Sequence, residues 1–171
     1  MTATMIAPPH SLVTLLKPWA DFYGHSKLIE TIVMFLHIGG LLLAGGFAVA
    51  ADRGTFRAMT FPAEERSHYM TELAAVHRWV LIGLVIIASS GLLLLASDIE
   101  TFLGSWIFWF KMLLVLALVI NGFQMTQVER QLATDASQDA PAWGRLHRIA
   151  ATSLSLWFTT ALAGVALSNV P

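Results

Sequence analysis

Cysteine is absent from all 171 residues. That excludes disulfides, thiolate zinc sites, iron–sulfur clusters and covalently attached c-type haem. A metal or cofactor would have to be held by His, Met, Lys or a carboxylate. Charge is also scarce, at 12% of residues, where a soluble globular chain carries about 25%. Such a chain cannot coat a water-facing surface in the ordinary way. The net charge of −1 offers no basic footprint for a nucleic-acid partner. Methionines are scattered without an MxxM cluster, which argues against a copper relay. The N-terminus lacks a basic n-region, and Pro8, Pro9 and Pro18 break its apolar pieces. It does not read as a cleaved signal peptide and is expected to remain.

Long apolar runs are what the sequence has instead. Hydrophobic residues make up 56% of the chain, with runs near 28–51, 79–97, 102–123 and 149–168. About 20 apolar residues span a bilayer, and backbone groups in lipid must be bonded internally, so each run predicts a helix. The expected fold is an all-α membrane protein. It is an antiparallel four-transmembrane-helix bundle over 28–171, preceded by an interfacial segment over 1–27. Within that segment 11–23 predicts a short surface helix, with Leu12, Leu15, Leu16, Trp19 and Phe22 facing lipid. The connection SDIET is too short for anything but an antiparallel hairpin of spans two and three. The other connections, near 52–78 and 125–148, lie on the opposite side. They carry Arg53, Arg57, Arg66, Arg78, Arg130, Arg145 and Arg148, against Lys17 and Lys27 on the first side. The positive-inside rule then places both termini outside the cytoplasm, in a bacterial-type inner membrane. Trp106 and Trp109 at one face, with Trp79 and Trp143 at the other, read as interfacial belts. Thr60, Pro62 and Glu64–Glu65 form a helix-start signature, so span two is expected to project beyond the membrane by several turns. AVHRWVLIGL and RLHRIAATSL open spans two and four and hint at a repeated two-helix unit.

Polar residues inside the runs carry the chemistry. Lys111 lies just past the aromatic belt in WIFWFKMLLVLALVING, roughly 10–13 Å below the surface at about 1.5 Å per residue. Either its stem lets the ammonium snorkel to the interface, or it serves a site. His37 lies on a small, polar face with Glu30, Gly40, Ala44 and Ala48, and small faces pack inward in membrane bundles. It is a hydrogen-bonded core histidine or a partner of Lys111. His77 and His147 each open a span at the arginine-rich end. Each continues into a stripe of small residues, and spans two and four are diagonal in an up-down bundle. Across about 12–14 Å two imidazoles can ligate one haem iron; otherwise they sit at headgroup level beside Arg78 and Arg148. Asn121 reads as interhelical glue. Glu65 and His68 supply one ExxH spacing where a di-iron bundle needs two. His10 and His25 read as exposed tail residues.

FLHIGGLLLAGG resembles the first-span His-plus-glycine pattern of the copper-resistance D (CopD) membrane domain and of HemJ-type protoporphyrinogen oxidases. FWFKMLLVLALVING is similar to the third span of that group, and HRWVLIGLVIIASSGLLLL and LHRIAATSLSLWFTTALAGVAL resemble its second and fourth. The resemblance implies a haem-associated membrane bundle, with the family His and Lys falling on His37 and Lys111. For HemJ-type proteins it implies protoporphyrinogen IX oxidation with a bound b-type haem; for CopD, copper handling. The chain departs from HemJ at 41–51, which is small and aliphatic where that group is aromatic-rich. Membrane b-type cytochrome is therefore the broader expectation.

The leading expectation is a haem b-binding membrane protein with an electron-transfer or oxidoreductase role. His77 and His147 would be the metal ligands. His37 and Lys111 would hold a second haem, a propionate, or a quinone or porphyrin. The alternatives are a copper-handling membrane protein and a cofactor-free accessory subunit. The bilayer is the expected partner, alongside a redox partner and a second copy or larger complex.

Overall fold

The computed structural model describes residues 8–134 and 140–169, with side chains described throughout except at 63–72, 74–75, 133–134 and 140. The described elements are all helical: α1 His10–His25, α2 Lys27–Ala58, α3 Ala63–Ser97, α4 Ile99–Gly104, α5 Trp106–Thr134 and α6 Ala140–Asn169. Four of them, α2, α3, α5 and α6, contain segments long and apolar enough to cross a membrane. The chain is therefore a multi-pass, all-α membrane protein.

Helix boundaries follow from local chemistry. Ser26 caps α2, its hydroxyl accepting from the Ile29 N–H at 3.4 Å. Asp98 caps α4, accepting from the Thr101 N–H at 3.2 Å. Helix α3 begins directly after Pro62, well before its apolar segment at Val76–Ser97. Span three begins later than the apolar run indicates. Phe102–Gly104 complete the short helix α4, and the Trp109 indole stitches the two helices by donating to the Leu103 carbonyl at 3.0 Å.

The bundle consists of two helical hairpins, α2–α3 and α5–α6, joined chiefly along α2 and α6. Helices α3 and α5 barely touch. Close approach inside the first hairpin depends on absent side chains. A Cβ on Gly83 would lie 2.6 Å from the Ala44 backbone nitrogen. One on Gly40 would lie 2.9 Å from Ile87 Cγ1. Ala, Gly, Ser and Thr supply nearly half of the buried positions, and many large apolar side chains, such as Phe35, Leu42, Leu113 and Leu162, point outward. That inversion suits a chain whose solvent is lipid, where packing of small faces rather than apolar burial drives association.

Several sequence expectations need correction. Helix α1 is docked on the bundle. Leu12, Leu16 and Trp19 are partly buried, and the Trp19 indole donates to the Leu93 carbonyl at 2.9 Å. Only Leu15 and Phe22 of its apolar residues stay exposed. Trp143 is a core residue at 3% exposure, packed with Leu73, Leu132 and Leu146, so it does not belong to a belt. Trp79, Trp106 and Trp109 are exposed as belts require.

Replacing Gly83 by Ala forces a backbone clash, and overpacking of this kind costs about 1–3 kcal/mol. Gly46, which has nothing within 4 Å of its would-be Cβ, is the control. Thermal unfolding in nanodiscs is expected to show a lower midpoint for Gly83→Ala and none for Gly46→Ala.

Candidate functional sites within the bundle

Near the end opposite the arginines, all four spans converge on His37 and Lys111. His37 comes from α2, one turn before Gly40, and its Nδ1 lies 3.1 Å from the Ser90 hydroxyl of α3. The single hydroxyl hydrogen of Ser90 goes to the Ile86 carbonyl at 2.6 Å. The oxygen therefore accepts from His37 Nδ1–H, a tautomer assigned from the network. Nε2 is left with its lone pair. Gly91 makes room for the ring: a Cβ there would lie 3.3 Å from His37 Cε1. Lys111 reaches in from α5 and lies within electrostatic range of the imidazole. Its Nζ sits over Gly164 of α6, 3.4 Å from where a Cβ would be. Among the described residues no carboxylate pairs with it. A lysine at membrane depth costs about 2.5–3.5 kcal/mol on insertion scales, and nothing here offsets that cost by an ion pair. Glu30, expected on the same face, is not part of the site. Its carboxylate pairs with Lys27 at 2.9 Å and is exposed.

Toward the arginine-rich end lies a second constellation. His77 donates through Nδ1 to the Leu73 carbonyl at 3.1 Å, and its Nε2 stands 3.4 Å from Glu129 Oε2 of α5. Asp52 of α2 lies within electrostatic range of Glu129. Asp52 is 1% exposed. The Ser153 hydroxyl of α6 approaches it, yet no hydrogen bond of acceptable geometry reaches either Asp52 oxygen, nor Glu129 Oε1. Buried polar groups normally have partners, and an unpartnered one calls for an explanation.

Asp52, His77 and Ser153 line a cavity of about 370 Å³ between the hairpins. Its other walls are apolar, formed by Val80 and Leu84 of α3, Leu118 and Met125 of α5, and Trp157 of α6. It exists because α3 and α5 diverge.

The expected His77–His147 pair is not brought together on this cavity. His147 is exposed, and its ring packs edge-on against Phe56 of α2 at 5.0 Å between centroids. The buried stripe of α6 runs through Leu146, Ile149, Ala150, Ser153 and Trp157, which turns His147 outward. Large side chains rather than small ones fill the core at this end. Asn121 is interhelical glue as expected, donating to the Ile149 carbonyl at 3.2 Å. The side chains of Glu65 and His68 lie outside the described residues. His10 and His25 are exposed on α1.

Asp52 and Glu129 are the residues that sequence reading missed, because both fall within the stretches that composition marks as connections, 52–78 and 125–148. The signal was present. Gly40, Ala44 and Ala48 step by four onto Asp52, and Asn121 and Met125 step by four onto Glu129.

Comparison with known proteins adds no relative: no family model, no curated protein and no solved structure matches the chain.

Uncharged isosteres test whether these carboxyls serve the fold. Replacing a buried charge by a neutral group of similar shape is commonly neutral or stabilising. Asp52→Asn and Glu129→Gln are expected to keep or raise the thermal midpoint at neutral pH. A clear fall for either would mean that its carboxyl is a structural bond.

Proposed function

We propose that the chain is a haem-binding membrane protein with an electron-transfer or oxidoreductase role, and that His37 is its principal iron ligand. The observation that carries this reading is the geometry of His37. Metal-ligating histidines usually donate their second ring N–H to an oxygen that fixes tautomer and orientation. Ser90 plays that part here, leaving Nε2 as the donor lone pair. Lys111, without an anionic partner, suits a haem propionate or the carboxylate of a porphyrin substrate. The likeness of FLHIGGLLLAGG and FWFKMLLVLALVING to the CopD and HemJ patterns supports the same two residues. When bound, haem b would supply one-electron chemistry; His37 would hold and tune the iron, and Lys111 would anchor its acidic edge.

The choice of His37 over the His77–His147 pair follows from the outward placement of His147. A copper or zinc centre is less well supported. Such centres take three or more protein ligands, and the described residues contain no group of three His, Asp or Glu positioned for one.

Protein purified after expression with ample haem is expected to show a Soret band. His37→Ala is expected to abolish it, while His147→Ala leaves it intact. No band in the parent protein sinks the reading, and loss on His147→Ala with retention on His37→Ala reverses the ligand assignment. In this reading the arginine-rich end is cytoplasmic. Reporters fused to either terminus are accordingly expected to be active outside the cytoplasm and silent within it.

A further inference from the structure

The cavity between the hairpins has its own chemistry, separate from the His37 site and independent of the haem reading. One end of it is acidic. Asp52 lines it, is 1% exposed, and has both carboxyl oxygens without a hydrogen-bond partner. Close by, Glu129 keeps Oε1 unpartnered and Oε2 against His77. Among the described residues no lysine or arginine forms an ion pair with either acid. Apart from His77, Ser153 and Thr126 the rest of the wall is apolar, and the volume of about 370 Å³ falls within the range of roughly 300–1,000 Å³ typical of small-molecule pockets.

The slight contact between α3 and α5 leaves that wall open sideways, along helix faces that are apolar and exposed at Leu81 and Val119. A ligand entering there arrives from lipid and must be largely apolar. The two unsatisfied Asp52 oxygens, with the Glu129 carboxyl in electrostatic range behind the wall, call for hydrogen-bond donors and positive charge together. An ammonium group provides three N–H donors and no acceptor, whereas a quaternary ammonium provides none. A bare metal ion would leave the apolar walls uncovered.

We propose that this cavity binds a lipophilic molecule carrying a primary ammonium group, with the head against Asp52 and the apolar body between Leu84, Leu118 and Trp157. His77 lies on the cavity wall and Glu129 behind it, 3.4 Å from His77 Nε2. A free lipophilic amine and the headgroup of an aminophospholipid share this chemistry.

The test uses the full-length protein in phosphatidylcholine nanodiscs, titrated with 1-adamantylamine and with 1-adamantanol, its neutral counterpart. Calorimetry reads binding, with empty discs subtracted. Saturable binding of the amine is expected, at least about tenfold tighter than that of the alcohol, or about 1.4 kcal/mol. Asp52→Asn is expected to remove that preference without abolishing binding of the alcohol. Leu84→Trp, which fills the cavity, is expected to abolish both; it serves as the second variant if an acid substitution fails to fold. Repeating the titration with phosphatidylethanolamine in the discs distinguishes the sources. Competition assigns the site to the lipid headgroup, and unchanged affinity assigns it to a free amine. The proposal is overturned if the amine does not bind saturably in phosphatidylcholine discs, if amine and alcohol bind alike, or if the preference survives in folded Asp52→Asn.

Discussion

The contact of Gly83 with Ala44 determines how the rest of the bundle is arranged. With hydrogen atoms as the only obstacle, α2 and α3 approach until the Gly83 position lies against the Ala44 backbone. Helix α2 presents Gly40, Ala44 and Ala48 as one buried stripe. Its continuation toward Asp52 and Thr55 meets α6. Helix α2 is thus the shared partner of both hairpins. Because α2 holds α3 and α6 so firmly, α3 and α5 are left apart, and the cavity occupies the space between them. In lipid this is the expected economy: attraction between spans comes from van der Waals packing of small faces and from hydrogen bonds, since lipid tails are as apolar as leucine.

Polar groups at membrane depth divide into those the fold satisfies and those it does not. Asn121 bonds to the Ile149 carbonyl across α5 and α6. Ser90 links His37 to the α3 backbone. Asp52 and one oxygen of Glu129 have no such partner among the described residues, and no ion pair there reaches Lys111. The two unsatisfied sets lie toward opposite ends of the bundle and differ in sign, one cationic beside an imidazole and the other acidic beside an imidazole. The two proposals accordingly give them different ligands, an acidic porphyrin at one and a lipophilic ammonium at the other.

Run length and composition alone determined that four helices cross the membrane and that neighbouring spans are antiparallel, because no other backbone arrangement satisfies its hydrogen bonds in lipid. The inward placement of His37 was legible for a similar reason: the small stripe through Gly40, Ala44 and Ala48 lies on its own helix. Rotation of α6 was not legible. Small and large residues occur on several of its faces, and the core at the arginine-rich end is filled by Leu146, Trp143 and Leu132, which turns His147 outward. Nor did sequence reveal that Asp52 and Glu129 come within electrostatic range of each other. They are 77 positions apart on helices that are not consecutive in the chain, and charged residues at span ends ordinarily face water. Only the tertiary structure decided that these carboxyls turn inward, because side-chain direction at a helix end depends on which neighbour packs there. Local sequence specifies the helix; the neighbouring helices specify its inside.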